Sequence, residues 1–434
     1  MVEEVVPKMI EKELLERIRR RTLDALEISR EEEERGLELH EKATVFDSMC
    51  SIDPPPLSAA QKREIDRMLG AGRSRQEVIE TGSKMETPSS LVRDPDWRRE
   101  YTEAWERSGV VAINYSIPQH SSFQVALQGI AASAYRLDEL REVIVKATCV
   151  EDVQRAKKEG KHAVMWNLQN TLPFGGGVNA ESELNTIDFF HQLGVRAVQL
   201  TYNLRNFVGD GCLERHQSGL THFGLEVVDR MNRLGVLIDV SHCSPQTTLD
   251  AVEASKAPVA ATHAGCRGVY YHSRNKTDEE LKAITEKDGY VGIPSTPAFL
   301  GGRGTLKELL DHVDYAVGLI GVDHVGIGSD YGYNTWDIYP PLAERLREER
   351  AKQGTGSELS SRRRFSWSGW RPGEPSANTE LTPEMVSGEI VDGSLAWLNW
   401  PYFTVGLVSR GYSDQEVQKI IGGNFLGILR QVIG

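Results

Sequence analysis

The stretch from Gly235 to His263 constrains the fold of this chain more than any other. It contains two short apolar runs of strand length, Val236–Val240 and Val259–Thr262, and each is followed closely by a histidine, His242 or His263. A parallel strand that is buried on both faces reads as a continuous Val/Ile/Leu run, and its return needs a crossover helix. The pattern therefore predicts consecutive βα units whose two histidines lie side by side at the carboxyl edge of one sheet.

Strand-like runs recur along the whole chain, with helical passages between most of them. Eight can be counted: Ala43–Phe46, Gly109–Tyr115, Ala163–Leu168, Val195–Leu200, Val236–Val240, Val259–Thr262, Tyr290–Ile293 and His324–Gly328. Several helical passages end in a glycine just before the next strand, as a left-handed C-terminal cap requires. Eight alternations of strand and helix predict an α/β fold of the (β/α)8 TIM-barrel type. A doubly wound open sheet is the alternative, but the sequence has no glycine-rich dinucleotide-binding turn to support it.

The barrel is predicted to occupy residues 43–434, after an N-terminal helical arm at residues 1–42. The arm is highly charged and carries a narrow apolar stripe, so it is expected either to pack on the barrel or on a partner subunit, or to be a solvated helix. Two insertions, at about 53–108 and 334–394, would leave the C-terminal face of the barrel. From there they could fold over the site as lids.

The composition excludes several classes of function. With a formal net charge of −13, the chain lacks the basic surface that a nucleic acid or an anionic membrane would need. Its five cysteines are scattered, odd in number and without a C-x-x-C pair, which indicates reduced thiols. The N-terminus shows no apolar signal core, and no run approaches the roughly 18 apolar residues of a membrane span. We expect a cytoplasmic homodimer that acts on a small molecule.

An aspartate accompanies the two histidines. The eighth predicted strand is followed directly by Ser329 and Asp330, so that this carboxylate faces the same mouth as His242 and His263. Neutral imidazole is the commonest metal ligand, and a bound metal polarises a carbonyl and lowers the pKa of water, while Asp330 would take or relay a proton. Histidines that cap strands and an aspartate that caps a helix are the alternative, purely structural interpretation.

These motifs, in this order, resemble the membrane (renal) dipeptidase family of metallopeptidases, which belongs to the wider amidohydrolase-like group of barrels. The resemblance covers the chain from about Leu37 to the C-terminus, apart from the two insertions. Its residues are Leu237-Ile-Asp-Val-Ser-His242-Cys-Ser, Ala257-Pro-Val and Thr262-His263-Ala-Gly-Cys-Arg267, His272-Ser-Arg274-Asn275, His324-Val-Gly-Ile-Gly-Ser-Asp330, Arg410-Gly-Tyr-Ser and Ile421-Gly-Gly-Asn-Phe-Leu426.

The resemblance implies a hydrolase whose barrel mouth holds two zinc ions. One zinc lies on an H-x-D pair after the first strand, the other on two histidines after the fifth and sixth strands, and a glutamate after the third strand bridges them. Carried over by position, His242 and His263 are the two histidines, and Asp330 is the aspartate that completes the site. Arg274 matches the arginine that binds the substrate carboxylate, for which a planar two-donor fork is suited. An arginine that ties down the loop after the sixth strand is the alternative interpretation.

The remaining positions of the family's site are substituted in this chain. Met49 and Ser51 stand where the H-x-D pair is expected, Gln169 replaces the bridging glutamate, and Tyr202 replaces a substrate-contacting histidine after the fourth strand. Two Zn²⁺ ions need several anionic ligands to offset their mutual repulsion, and only Asp330 clearly remains. We therefore predict one zinc per chain, and a metal-free site is the alternative.

Further ligands of that zinc stay open at the level of the sequence. Gln169, Cys50 or water could complete its coordination. For Cys50 a buried, inert thiol is the other interpretation, and the one that we favour.

Three functions remain compatible with the sequence. The first, which we predict, is a divergent dipeptidase-like hydrolase of a small carboxylate-bearing amide, with Asp330 as base, Arg274 as carboxylate anchor, and Tyr202 and Gln169 against the substrate. The second is an enzyme of another class on the same scaffold, such as a lyase, decarboxylase or isomerase, in which Tyr202 and Asp330 transfer protons. The third is a binding protein without catalysis.

Overall fold

A parallel β-barrel lies at the centre of the computed structural model, which describes residues 10–50, 57–74, 77–78, 81, 92–117, 121–175, 179–333, 341–342, 344–345, 348 and 393–434. Within these residues the strands are β1 (Phe46–Cys50), β2 (Ala112–Ser116), β3 (Ile144–Ala147), β4 (His162–Leu168), β5 (Val195–Gln199), β6 (Leu237–Asp239), β7 (Val259–Ala261), β8 (Tyr290–Ile293) and β9 (Val325–Ile327). Eight of them follow the order β1-β2-β4-β5-β6-β7-β8-β9, each parallel to its neighbour, and β3 pairs with the first half of β4.

The barrel closes where β9 meets β1. The backbone N–H of Asp330, just past β9, donates to the carbonyl of Met49 at 2.9 Å. The hydroxyl of Ser48 lies 3.1 Å from the carbonyl oxygen of Ile327. Eight parallel strands that nearly close in this way confirm the predicted (β/α)8 barrel.

Helices surround the strands. In the described residues they are α1 (Lys12–Ala25), α2 (Arg30–Lys42), α3 (Ala59–Gly70), α4 (Pro95–Ser108), α5 (Phe123–Glu139), α6 (Val150–Lys158), α7 (Ala180–Leu193), α8 (His222–Leu234), α9 (Pro245–Ala254), α10 (Asp278–Thr285), α11 (Pro297–Leu300), α12 (Leu306–Ile320), α13 (Trp400–Ser409), α14 (Asp414–Gln418) and α15 (Asn424–Val432). Short 3-10 turns occupy Leu172–Phe174, Val322–His324 and Trp397–Asn399, and a π-helical turn occupies Lys419–Gly423.

The βα unit that carries the two histidines shows why the sequence folds this way locally. α8 ends at Gly235, which adopts the left-handed conformation with φ of 66° and so turns the chain directly into β6. α9 begins after Ser244, whose side chain accepts a hydrogen bond from the backbone N–H of Thr247. The end of α8 and the start of α9 thus lie on either side of β6 and reverse the direction of the chain there.

The N-terminal arm packs on the body of its own chain. Leu14 and Ile18 of α1 are buried, and a Cβ atom built on Gly36 of α2 would meet the backbone of Val405 in α13 at 2.6 Å. Only a glycine lets the two helices approach this closely. The boundary between arm and barrel at residue 42 stays a prediction.

The structure differs from the sequence-based assignment at two strands. The first strand is Phe46–Cys50 and not Ala43–Phe46, because the buried polar residues Asp47 and Ser48 interrupt the apolar pattern. Asp47 is tolerated there because its carboxylate accepts hydrogen bonds from the backbone N–H of Ser329 at 2.8 Å and from the indole of Trp400 at 3.3 Å. The strand β3 was not predicted, since its four residues are too few to show a period.

The two insertions are described to different extents. The first, at 53–108, contains α3 and α4, whereas the second, at 334–394, lies almost entirely outside the described residues, so its role as a lid stays a prediction. In the part of the chain that the structure describes, every helix is too short or too polar to cross a lipid bilayer.

Candidate active site

Three of the residues singled out in the sequence meet at the carboxyl ends of the strands. His242 and His263 follow β6 and β7, are buried, and place their Nε2 atoms 2.9 Å apart. Asp330, which follows β9, has its Oδ1 atom 4.0 Å from Nε2 of His263. The barrel thus brings together the residues that were predicted to bind a metal.

The protonation of His242 can be derived from its other ring nitrogen. Nδ1 of His242 lies 2.7 Å from the amide oxygen of Asn203, in the loop after β5. The same oxygen also faces the thiol of Cys212 at 3.6 Å, which agrees with its assignment as an acceptor. An amide oxygen can only accept, so Nδ1 carries the proton and Nε2 of His242 presents a lone pair.

His263 is held by a different partner to the same effect. Its Nδ1 lies 2.9 Å from the hydroxyl of Thr262, and this hydroxyl in turn lies 2.5 Å from the carboxylate of Asp239. Burial lowers the pKa of His263 well below its usual range, and the charges of Arg274 and Lys276 act in the same direction. A neutral ring with its proton on Nδ1 presents a second lone pair on Nε2.

These two nitrogens fit a bound cation. Two lone pairs at 2.9 Å repel each other unless a proton from His242 or a metal ion lies between them, and burial disfavours a proton on His263 itself. Two neutral imidazoles with converging Nε2 atoms are a common donor set for Zn²⁺. Among the described residues no three His, Cys, Asp or Glu side chains converge closely enough to form a complete metal site, so a third protein ligand requires Asp330 to move nearer.

Asp330 occupies a strained position. Its φ of 58° lies in the left-handed region, which an aspartate adopts only when its surroundings hold it there. Burial raises the pKa of its carboxyl to about 7, Asp239 adds to this, and the charge of Arg274 and a hydrogen bond from Thr296 oppose it. A carboxyl group with this pKa can both release and accept a proton near neutral pH.

Arg274 is buried next to the same residues. Its Nη1 donates to the carbonyl of Ser241, its Nη2 donates to the carbonyl of His263 at 3.0 Å, and its guanidinium lies over the ring of Phe299 at 5.2 Å. Its Nε has no hydrogen-bond partner in the described residues. Arg274 therefore joins the loops that carry the two histidines.

Tyr202 covers one face of the histidine pair. Its ring stacks on that of His242 with centroids 4.3 Å apart and an angle of 21° between the planes. Burial raises the pKa of its phenol well above the usual range, and the nearby charge of Asp330 adds to this. The hydroxyl of Tyr202 consequently keeps its proton and can serve as a hydrogen-bond donor, but not readily as a base.

The opposite side of the mouth is neutral. Met49, at the end of β1, is buried, and its sulfur lies 3.4 Å from the amide nitrogen of Gln169 and 3.8 Å from that of Asn167. Gln169 follows β4, which is the third of the eight barrel strands, as expected for the residue in place of the bridging glutamate. A thioether and two amides offer no anionic ligand for a second metal ion. Ser51 lies outside the described residues.

Cys50 is a poor candidate for a ligand. It is fully buried, and its sulfur lies 3.1 Å from the carbonyl of Tyr331, to which the thiol can donate. Burial raises the pKa of the thiol well above its usual value, and the charge of Asp47 adds to this. Because the thiolate is the metal-binding form, these surroundings favour the inert thiol.

Sequence reasoning missed Asn203, Thr262 and Asp239, which hold the two histidines from behind. One signal was present, since Asp239 is a charged residue within the apolar run that forms β6. A buried carboxylate in a strand must have partners nearby, and here they are the residues next to the histidines.

The sequence matches known proteins over much of its length. Residues 94–350, more than half of the 434-residue chain, match the family described as membrane dipeptidase (peptidase family M19). An uncharacterized dipeptidase of Schizosaccharomyces pombe is 33% identical over 173 residues, and dipeptidase tcpJ of Claviceps purpurea is 26% identical over 318 residues. These matches cover 37% and 72% of this chain, and 42% and 61% of the relatives, so the chain matches less than two thirds of either relative.

A solved structure extends the likeness over nearly the whole fold. An amidohydrolase from Pseudomonas aeruginosa superposes with a TM-score of 0.65 at 25% identity, covering 92% of this chain and 98% of that one. The shared architecture therefore includes the barrel and most of the elements around it.

Proposed function

Because this chain belongs to the membrane dipeptidase family, peptidase family M19, we propose that it is a metal-dependent hydrolase of a small, carboxylate-bearing amide or dipeptide-like substrate. In this proposal each chain binds one zinc ion through His242 and His263, with Asp330 as the third protein ligand. The observation that carries it is the convergence of two Nε2 lone pairs at 2.9 Å in a buried mouth.

The chemistry divides between the metal and the side chains around it. A bound zinc ion would lower the pKa of water and polarise the scissile carbonyl. Without a metal ion, burial raises the pKa of Asp330 to about 7. Beside the zinc its carboxylate would accept a proton from water and return it to a leaving amine. Water access is limited on the His242 side by the stacked ring of Tyr202, whose phenol donates a hydrogen bond to a substrate oxygen.

Substrate binding is assigned to Arg274, Tyr202 and Gln169. Arg274 brings a permanent positive charge to the mouth. Two of its N–H groups donate to the carbonyls of Ser241 and His263, and its remaining N–H groups would donate to a substrate carboxylate. Gln169 offers a neutral amide on the opposite side. The small-molecule substrate, the homodimer and the cytoplasmic location stay predictions.

A non-peptidase reaction, such as that of a lyase, decarboxylase or isomerase, is the second candidate. It is favoured by one observation, the contact of 3.4 Å between Met49 and Gln169 where the family resemblance calls for metal ligands. Without an anionic bridge a second metal ion has little support, and Asp330 would instead transfer the proton while the phenol of Tyr202 donates a hydrogen bond to the substrate.

Metal counting and substrate profiling test the proposal. Elemental analysis of zinc-loaded protein is expected to give at most about one zinc per chain, and His242→Ala should remove it because two remaining groups rarely hold Zn²⁺ against water. The matched control, Gln169→Ala on the opposite side of the mouth, should leave the zinc content unchanged.

The substrate arm uses a panel of unmodified dipeptides and small N-acyl amino acids. We expect zinc-dependent hydrolysis that is weak on ordinary dipeptides, since Gln169 gives no support to a bridging hydroxide. Two tightly bound zinc ions per chain, or efficient turnover of several unmodified dipeptides, would show that the substitutions at Met49 and Gln169 matter less than we infer.

A further inference from the structure

A carboxylate behind His263 is saturated with hydrogen bonds. Asp239 accepts from the backbone N–H and the hydroxyl of Ser241 at 2.8 and 2.5 Å. It also accepts from the backbone N–H and the hydroxyl of Thr262 at 3.3 and 2.5 Å. Asp239, Ser241 and Thr262 are all buried, so water does not compete for these bonds. Burial raises the pKa of this carboxyl and the four donors oppose the rise. In its ionised form the carboxylate acts as an acceptor only.

The hydrogen bonds from Asp239 through Thr262 to His263 determine the tautomer of His263. A threonine hydroxyl has one proton, and Thr262 uses it to donate a hydrogen bond to Asp239. Towards Nδ1 of His263, which lies 2.9 Å away, the hydroxyl oxygen can therefore only accept. Oδ2 of Asp239 itself is 4.0 Å from that nitrogen, too far for a direct hydrogen bond.

We propose that Asp239 and Thr262 are positioning residues that fix His263 as the tautomer with its proton on Nδ1 and so make Nε2 the metal-binding atom. This inference rests on the proposed function as far as the identity of the bound cation is concerned. The tautomer itself is a property of the metal-free protein and can be measured without metal or substrate. Partners of this kind orient metal-binding histidines and raise the affinity of the site.

A second histidine with a threonine hydroxyl at its Nδ1 is His40, and there the hydrogen bond runs in the opposite direction. Nε2 of His40 lies 2.9 Å from the carbonyl of Ser108, so this nitrogen carries the proton. Nδ1 of His40 then accepts from the hydroxyl of Thr404 at 2.7 Å. A neighbouring threonine thus does not by itself decide the tautomer of a histidine. Asp239 decides the tautomer of His263, because it accepts the hydrogen bond that the hydroxyl of Thr262 donates.

Asp239→Asn should reverse the direction of the chain of hydrogen bonds. The Oδ1 position receives the backbone N–H groups of both Ser241 and Thr262, and only an oxygen can accept them. The amide nitrogen must then take the Oδ2 position and donate to the hydroxyl of Thr262. That hydroxyl would then donate its hydrogen bond to Nδ1 of His263, which must accept it without a proton of its own. The ring proton would lie on Nε2, where it blocks metal binding.

The tautomer can be read directly from nitrogen chemical shifts. We would record long-range ¹H–¹⁵N spectra of metal-free protein with ¹⁵N-labelled histidine at about pH 8, where an ordinary histidine is neutral. The signals of His263 and His40 are assigned by their loss in His263→Gln and His40→Gln. The expected result for the wild type is a protonated Nδ1 in His263 and a protonated Nε2 in His40. In Asp239→Asn the proton of His263 should move to Nε2 and that of His40 should stay.

A second arm measures zinc affinity by competition with a chelator. Thr262→Val removes only the hydroxyl and is expected to weaken zinc binding about 10–100-fold, the usual effect of losing an outer-shell partner. Thr262→Ser should restore most of the affinity. Thr404→Val, which removes the hydroxyl beside His40, is the matched control and should bind zinc like the wild type. Melting temperatures of all variants separate loss of fold from loss of affinity.

The two arms keep this inference distinct from the proposed function. A wild-type His263 with its proton on Nε2, or a folded Thr262→Val that binds zinc as tightly as the wild type, would overturn the positioning role. If the wild type shows the expected tautomer and its shift in Asp239→Asn but binds no zinc, the relay stands and the metal-dependent function fails.

Discussion

The two sides of the barrel mouth are built on the same backbone but carry opposite chemistry. On the side of β6, β7 and β9 lie His242, His263 and Asp330, with the charge of Arg274 beside them. On the side of β1 and β4 the corresponding positions hold Met49 and Gln169, a thioether against a neutral amide. Apart from Arg274, each of these residues lies within three positions of the carboxyl end of a strand, so the difference lies in the side chains and not in the fold.

What lies behind each side explains why the difference persists. His242 is oriented by Asn203, and His263 by Thr262 and Asp239, so that both rings present Nε2 to the same point. Behind Met49, the amide of Asn167 donates to Asn114, whose own amide donates to the carbonyl of Ser48. The amides behind Met49 thus bond to each other and to the backbone, whereas the partners of His242 and His263 orient the two rings. Buried metal ligands need partners that orient them, and a thioether does not. One side of the mouth is therefore equipped for a cation, and the other is filled without one.

The largest expected effect comes from placing metal-binding side chains on the neutral side of the mouth. The double substitution Met49→His and Gln169→Glu places an imidazole and a carboxylate where the sulfur and the amide now lie 3.4 Å apart. Since Zn²⁺ needs such ligands, the zinc content should rise from about one towards two per chain, with faster hydrolysis of ordinary dipeptides. Elemental analysis and the dipeptide panel measure both effects.

Each single substitution serves as a control for the double variant. Met49→His or Gln169→Glu alone supplies one new ligand and should leave the zinc content near that of the wild type. A double variant that folds and still binds one zinc would show that the two sides differ by more than these two side chains.

The fold was predictable from the sequence because its signals are local and repeated. Apolar runs of strand length and the caps of the helices between them place most strands, including β6 and β7, correctly. His242, His263 and Asp330 were predictable for the same reason, since each directly follows such a run. β1 was misplaced because the partners of Asp47 and Ser48 are distant in sequence: Ser329 donates to Asp47 across 282 positions, and Ser48 contacts Thr262 across 214.

The residues that support the site could not be found in the same way. Asn203 meets His242 across 39 positions of sequence, and Thr262 meets Asp239 across 23. Neither pair leaves a spacing pattern, because the contacts join loops at the ends of different strands. For Arg274 the sequence suggested a carboxylate anchor or a tie of the loop after the sixth strand, but it could not identify the carbonyls of Ser241 and His263 as its partners.

An intermediate effect is expected from Arg274, on the ionic side of the mouth. Arg274→Ala removes both the charge offered to a substrate carboxylate and the donors to two backbone carbonyls. Substrate binding should weaken by about 2–5 kcal/mol, the usual cost of truncating one partner of a buried charged pair. The melting temperature should fall as well, because two buried carbonyls lose their donors. Substrate affinity and thermal unfolding of the same variant measure the two effects.

Arg274→Lys separates the two roles, since a lysine keeps the charge but lacks the planar fork. It should recover part of the substrate affinity and little of the stability. A folded Arg274→Ala with reduced stability and normal affinity would contradict the anchoring role and leave Arg274 as a tie between the histidine loops.

The smallest effect is expected at Met49, on the neutral side. Met49 is buried, and its sulfur is only a weak acceptor for the amides of Gln169 and Asn167 at 3.4 and 3.8 Å. Met49→Leu conserves volume and polarity, so the free energy of unfolding should fall by less than about 1.5 kcal/mol. Zinc content and zinc affinity should not change, because the sulfur is not a ligand in our proposal. Denaturant unfolding and chelator competition measure these quantities. A marked loss of zinc affinity in a stable Met49→Leu variant would place the thioether in the metal site and remove the distinction between the two sides.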